Sequence, residues 1–276
     1  MQSIKKSIKS INTKKDQNDL LSKITKNGKC LILAYDQGFE HGPTDFDLTN
    51  VDPDYIFKIA LEGEYTALAL HSGIIEKYMK PEYKKIPLIV KLNGKTALLR
   101  GDPVSFQHTS VKKAIELGAS AVGYTIYFGS AHEPIMFREF GKICEDAHSA
   151  GIPVICWMYP RGLNVQNEFA TATLAYAARV AMELGADIVK IKNNGDVEAM
   201  KWVIQCAGKT KVVIAGGPHV SEHDFIKLTY DSMQAGAIGV AVGRNVWQDK
   251  TPMVVTDALK EVVFSNKTPE EAFKKD

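Results

Sequence analysis

Lys190 lies within Ile188-Val189-Lys190-Ile191-Lys192, whose apolar members are all β-branched, as expected of a buried strand. A lysine in such a strand loses hydration. Its charged form is then disfavoured and its pKa falls. A neutral amine is a nucleophile, and a carbonyl is its natural electrophile. Residues two apart on a strand point the same way, so Lys192 is expected to face the interior that Lys190 faces and to lower its pKa further. On spacing alone, a lysine neutralised by a buried carboxylate is the competing reading.

Other residues with chemistry close neighbouring apolar runs. Trp157 and Tyr159 share a parity, and a tyrosine at such a position can exchange a proton with a substrate hydroxyl or carbon. A packed aromatic with a satisfied hydroxyl is the alternative. Asp36 has the parity of Ile32 and Ala34, which points it inward, with Lys91 or Lys190 as its expected partner. Gly216-Gly217 and Gly243-Arg244 close two consecutive runs. Glycine lets backbone N–H groups approach an anion, and an arginine adds a charged fork, so the pair reads as a phosphate cradle. An amine, an acid–base pair and a phosphate cradle together suggest Schiff-base chemistry on a phosphorylated ketose.

Eight apolar runs are expected as strands: 30–36, 66–70, 88–93, 121–127, 153–159, 188–192, 212–216 and 239–243. They show little polar alternation, as strands covered on both faces should. Helical periodicity fills the gaps. Asp52-Pro53 and Ser110 start helices, and Thr268-Pro269-Glu270-Glu271 is a capping box. Gly118, Gly151, Gly185 and Gly236 each stand between a helix and the next strand, where a left-handed residue ends the helix. Eight helix–glycine–strand units predict an α/β protein, a single-domain (β/α)8 TIM barrel over 29–276, with chemistry at the carboxyl ends of its strands. An open doubly wound sheet is the runner-up, but Asp36-Gln37-Gly38 offers no G-x-G-x-x-G turn. Residues 1–28 are lysine-rich, and Ile4, Ile8 and Ile11 predict an amphipathic helical extension.

The 276 residues are 45% hydrophobic with a formal net charge of +2, which makes no case for nucleic acid as the partner. No apolar stretch is long enough to span a bilayer, and no secretory signal is visible. Cys30, Cys144, Cys156 and Cys206 are scattered without a C-x-x-C pair, which predicts reduced thiols and a cytoplasmic protein. His219 and His223 are four apart, but Val220 replaces the glutamate of H-E-x-x-H, so no metal is expected.

Several motifs in order along the chain are familiar. They are Leu33-Ala34-Tyr35-Asp36-Gln37-Gly38-Phe39-Glu40-His41-Gly42-Pro43, Lys91-Leu92-Asn93-Gly94-Lys95-Thr96, Val122-Gly123-Tyr124-Thr125-Ile126-Tyr127, Trp157-Met158-Tyr159-Pro160-Arg161-Gly162, Lys190-Ile191-Lys192 and Ala241-Val242-Gly243-Arg244-Asn245-Val246-Trp247. Together they resemble the archaeal-type class I fructose-1,6-bisphosphate aldolases. The resemblance implies reversible cleavage of fructose 1,6-bisphosphate to dihydroxyacetone phosphate and glyceraldehyde 3-phosphate. It makes Lys190 the Schiff-base lysine and Tyr159 the proton donor and acceptor, with Asp36 assisting. Gln37, His41, Trp157, Arg161 and Lys192 would line the substrate site. Ala215, Gly216, Gly217, Gly243 and Arg244 would hold the phosphate of the dihydroxyacetone half. The resemblance implies no cofactor, since the iminium takes the place of a Lewis acid, and it implies a homo-oligomer built as a ring or paired rings.

Two departures stand out. Gln37 occupies a position where the family usually has histidine, and it cannot ionise. Ala215 and His219 replace a common serine and lysine in the phosphate loop, a change that weakens one phosphate contact by about 1–3 kcal/mol if no other cation compensates. Two other functions fit the same motifs. One is a related Schiff-base lyase or transaldolase, such as 2-amino-3,7-dideoxy-D-threo-hept-6-ulosonate synthase; the Glu40-His41 pair favours the bisphosphate aldolase. The other is a non-catalytic sugar-phosphate-binding barrel; the joint presence of Lys190, Tyr159 and Asp36 argues against it.

Overall fold

The structure, a computed structural model, describes residues 20–274, so Ile4, Ile8 and Ile11 lie outside the described residues. Eight strands form the framework: β1 (Cys30–Ala34), β2 (Ala67–His71), β3 (Leu88–Lys91), β4 (Ala119–Phe128), β5 (Val154–Pro160), β6 (Ile188–Ile191), β7 (Lys211–Ala215) and β8 (Gly239–Val242). All neighbours pair in parallel and in sequence order, and β8 pairs with β1 to close the barrel. The (β/α)8 expectation is met. At the closure Cys30 faces Gly239, where an added Cβ would lie 1.7 Å from the Cys30 carbonyl oxygen.

The period-2 geometry of strands sorts side chains into two cores. Leu31, Leu33, Leu68, Leu70, Val189 and Ile191 point outward beneath the helices. Ile32, Ala34, Ala67, Ala69, Ile89, Ala121, Ile155, Trp157, Ile188 and Val213 fill the barrel interior. That interior is built largely from small and branched residues around one indole. Leu21 and Ile24, fully or nearly buried, join the same interior cluster. Burial of each stabilises the fold by roughly 1.5–3 kcal/mol.

The helices at Ser110 and Thr268 start where the sequence signals stood, whereas the helix expected after Asp52 begins at Asp54 with Pro53 at its N-cap, and Asp52 Oδ1 accepts from Asp54 N at 3.0 Å. Ser110 Oγ accepts from Lys113 N at 3.1 Å, and Thr268 and Glu271 form the reciprocal capping box. Gly118, Gly151, Gly185 and Gly236 take φ of +82°, +70°, +95° and +105°. Strand bounds differ in places. β1 stops at Ala34, two residues before the expected end, and Asp36 instead leads into the short helix Gln37–His41. β4 begins at Ala119 and runs to Phe128, longer than expected at both ends. β6 stops at Ile191, so Lys192 falls beyond the strand. The last barrel helix, Pro252–Ser265, is preceded by a short one, Arg244–Trp247, that begins directly after Gly243.

Candidate active site

One cavity of about 340 Å³ opens at the carboxyl end of the barrel, its wall formed by residues on and after β1, β5, β6, β7 and β8. All thirteen residues that the sequence pointed to line it: Asp36, Gln37, His41, Trp157, Tyr159, Arg161, Lys190, Lys192, Ala215, Gly216, Gly217, Gly243 and Arg244.

Lys190 shares its inward parity with Ile188 and is 6% exposed. Its register partner on β5 is Trp157, and its ammonium sits 5.2 Å from the centre of the indole ring. Burial holds the amine below the ordinary lysine value. Asp36 opposes that effect, and Lys91 reinforces it. The expectation that Lys192 supplies the reinforcing charge is therefore corrected. Past the end of β6 the alternation no longer governs direction. Lys192 Nζ pairs with Glu168 at 2.6 Å and lies 4.7 Å from the Phe169 ring centre. It still lines the cavity, as a tie to the 161–170 segment.

The second buried ammonium is Lys91, 1% exposed at the end of β3. Its Nζ donates to the Asn93 carbonyl at 3.0 Å and stands 3.9 Å from Asp36 Oδ2. It also lies over the Trp157 ring, 5.6 Å from the centroid. Both lysines thus lie against one indole, whose seat is made by Gly123 on β4, where a Cβ would meet the ring at 2.1 Å. Asn93 is in turn fixed by bonds from its amide to Ser105 O and Thr125 O, at 2.9 and 2.8 Å.

Asp36 feels opposing effects. Burial raises its pKa, but Lys91, Lys190 and His71 more than offset that, so it falls below the ordinary carboxylate value. Burial pushes the His71 imidazole down to about 4, so that ring is neutral near pH 7. Tyr159 is pushed well above the ordinary phenol, first by burial and then by the carboxylates of Asp36 and Glu40, so it keeps its proton. The cavity floor therefore presents a depressed amine, an ionised carboxylate and a protonated phenol.

On the far side, β7 and β8 release the glycine turns. Gly217 has φ +68°, and Arg244 NH2 donates to its carbonyl at 3.3 Å. Asn245, which the sequence reading passed over, organises this loop. Its amide donates to Gly216 O at 2.8 Å and Pro218 O at 3.0 Å, while its Oδ1 accepts from Val220 N at 2.8 Å. His219 lies in the loop, before the helix Glu222–Gln234 that carries His223, and its Nε2 is 4.0 Å from Asp249 Oδ2. Glu40, Phe169 and Asn193 also join the wall unforeseen. Glu40 was visible inside the first motif, but nothing in its spacing gave it a direction. The Gln37 side-chain nitrogen is buried without a hydrogen-bond partner among the described residues.

The arrangement suits amine attack on a carbonyl, with proton traffic on one side and an anion held on the other. Comparisons with known proteins agree. The profile described as "DeoC/LacD family aldolase" matches residues 30–249. The "Fructose-bisphosphate aldolase class 1" of Thermoproteus tenax is 47% identical over 245 residues, covering 88% of this chain and 92% of that protein. A protein of the same description from Halobacterium salinarum is 42% identical over 253 residues, covering 91% and 96% respectively. A solved archaeal fructose-1,6-bisphosphate aldolase, its catalytic lysine covalently bound to the carbinolamine intermediate of the substrate, superposes with a TM-score of 0.85. It is 46% identical, over 90% of this chain and 99% of that one.

Proposed function

Because the chain belongs to the DeoC/LacD family of aldolases, we propose that the cavity at the mouth of its barrel is the active site, with Lys190 as the Schiff-base lysine. The enzyme reversibly cleaves fructose 1,6-bisphosphate to dihydroxyacetone phosphate and glyceraldehyde 3-phosphate through a lysine Schiff base. The observation that carries the residue assignment is the depressed, buried Lys190 amine beside Asp36 and Tyr159.

Neutral Lys190 adds to the C2 carbonyl, and the carbinolamine takes up a proton and loses water to leave an iminium. Asp36, ionised by its neighbours, takes the C4 hydroxyl proton. The C3–C4 bonding electrons move into the iminium, which becomes an enamine, and glyceraldehyde 3-phosphate leaves. Tyr159 then protonates C3. Water hydrolyses the regenerated iminium to release dihydroxyacetone phosphate, free Lys190 and the proton taken up when the iminium formed, and the proton held by Asp36 returns to the Tyr159 phenolate. The glycine turns at 216–217 and 243, with Arg244, bind the phosphate of the dihydroxyacetone half, and Arg161 and His41 line the same cavity.

The test is borohydride reduction in the presence of substrate, followed by peptide mapping of the adduct. An adduct at Lys190 is expected; one at Lys91 or none refutes the assignment. Tyr159→Phe is expected to retain the adduct and lose about 10²–10⁴-fold in turnover. We also place the enzyme in the cytoplasm, in line with its four unpaired thiols. A homo-oligomer is supported by large apolar side chains left outside the fold, among them Leu163, Tyr176 and Trp202.

A further inference from the structure

Two cationic or hydrogen-bonding groups of the cavity wall, His41 and Arg244, come from opposite ends of the chain and meet at one carboxylate. His41 Nδ1 bonds to Asp45 Oδ2 at 2.7 Å, and Arg244 NH1 approaches the same oxygen at 3.5 Å. Asp45 itself does not line the cavity, whereas both of its partners do. It stands behind them, in the turn Gly42–Asp45.

That turn is anchored from the rear by the short helix after β8. Gln248 Nε2 donates to the Asp45 carbonyl at 2.7 Å. The next residue, Phe46, packs against Trp247 and Tyr35 with ring centres 5.5 and 5.2 Å apart. Trp247 in turn donates to the Ala34 carbonyl at 3.3 Å. The backbone that carries the carboxylate is therefore set by packing and a hydrogen bond from residues that do not line the cavity, Gln248, Phe46, Trp247 and Tyr35.

A carboxylate in this position has a definite effect on each partner. With Nδ1 engaged by Asp45, the imidazole of His41 presents Nε2 to the cavity. With one edge of the guanidinium directed at Asp45 and NH2 at the Gly217 carbonyl, the remaining N–H groups of Arg244 are those left for an anion. Two side chains that would otherwise sample several rotamers are thereby held toward a common point in the wall.

We propose that Asp45 is a positioning residue for the substrate phosphate, acting through His41 and Arg244 without touching the substrate. The inference rests on the reading of the cavity as a sugar-phosphate site. It assigns Asp45 to binding of the phosphorylated ligand and leaves the carbon–carbon chemistry at Lys190 untouched.

The experiment compares wild type with Asp45→Asn, which keeps shape and removes charge. With fructose 1,6-bisphosphate the variant should show KM raised about tenfold and kcat within about twofold, the pattern of lost uniform binding. Competitive inhibition by inorganic phosphate should weaken to the same degree. The rate with unphosphorylated dihydroxyacetone as donor should not change. Gln248→Ala, which frees the Asp45 carbonyl, should produce the same KM split in weaker form and serves if Asp45→Asn does not fold. An unchanged or lower KM refutes the proposal, because it would mean that Asp45 is idle or that it repels the phosphate. So does an equal loss with phosphorylated and unphosphorylated donors, which would mark a general structural defect. Borohydride trapping in the wild type separates the two layers. A wild type that forms no adduct refutes the function itself, whereas a trapped wild type with an indifferent Asp45→Asn refutes only this inference.

Discussion

Replacing Lys91 by methionine tests the electrostatics of the cavity floor directly. The substitution keeps the length of the side chain and deletes its charge. Lys91 Nζ stands 3.9 Å from Asp36 Oδ2. Opposite unit charges at that distance attract by about 4 kcal/mol at an effective dielectric of about 20. The ammonium groups of Lys91 and Lys190 sit 5.6 and 5.2 Å from the centre of the Trp157 ring, so they are at most about 11 Å apart. Their repulsion is then at least about 1.5 kcal/mol at the same dielectric. Loss of Lys91 acts in one direction on both groups. Asp36 loses the cation that most favours its ionised form, so its pKa rises. Lys190 loses a repelling neighbour, so its pKa rises too. Amine attack and proton uptake both require the deprotonated forms.

The acidic limb of the kcat/KM profile should therefore move to higher pH in Lys91→Met, by about one to three pH units. The rate of borohydride trapping at Lys190 should show the same displacement, since it reports the amine without the cleavage step. Breaking a buried ion pair also destabilises, so thermal unfolding is followed alongside. A folded variant whose acidic limb stays in place in both assays refutes the reasoning. It would show that burial alone sets the Lys190 amine.

Two further substitutions probe the supports of the site. Gly123→Ala places a Cβ 2.1 Å from the Trp157 ring, which is 1% exposed and has nowhere to go; a stability loss of roughly 1–3 kcal/mol with impaired trapping at Lys190 is expected, and wild-type melting and turnover would refute it. Glu168→Gln releases Lys192 and, with it, the segment carrying Arg161 and Phe169. Because both partners are partly exposed, KM should rise only about two- to fivefold with kcat unchanged, and a kcat loss with KM unchanged would place Lys192 in the chemistry instead.

The barrel was legible because its signals are local and repeated. Branched runs, helical periodicity and the four helix-ending glycines each report on a few residues, and the parallel topology follows from their alternation. The inward direction of Lys190, Trp157 and Tyr159 was legible for the same reason, since parity along a strand is strict. The same rule failed at Lys192. β6 ends at Ile191, and a strand boundary is uncertain by just the residue or two that decides the direction of a side chain. The contribution of Lys91 was legible in part. Lys91 or Lys190 was the expected partner of Asp36, and Lys91 stands beside it, but its effect on Lys190 and its contact with Trp157 cross from β3 to β5 and β6. Which charge stands beside which amine depends on how the barrel closes. Asn245 and Asp45 were hidden for a like reason: each acts through residues distant in the chain or on backbone carbonyls, and neither sits at a strand end.

The same cross-strand view answers the question raised by Gln37, where the resemblance led to an expectation of histidine. If that position had to transfer a proton, glutamine would disable the enzyme. The proposed cycle uses three protonation states, and the structure supplies each from another residue: a depressed amine at Lys190, an ionised carboxylate at Asp36 and a protonated phenol at Tyr159. His71 adds a neutral imidazole, its Nε2 3.2 Å from the Asp36 carbonyl oxygen. What glutamine retains is hydrogen bonding, and its side-chain nitrogen is buried at the cavity with no partner among the described residues. A donor in that state costs stability when left idle and recovers it when an acceptor arrives. Gln37 is therefore better suited to orienting an oxygen than to moving a proton, and its replacement by histidine should alter binding more than the rate of bond cleavage.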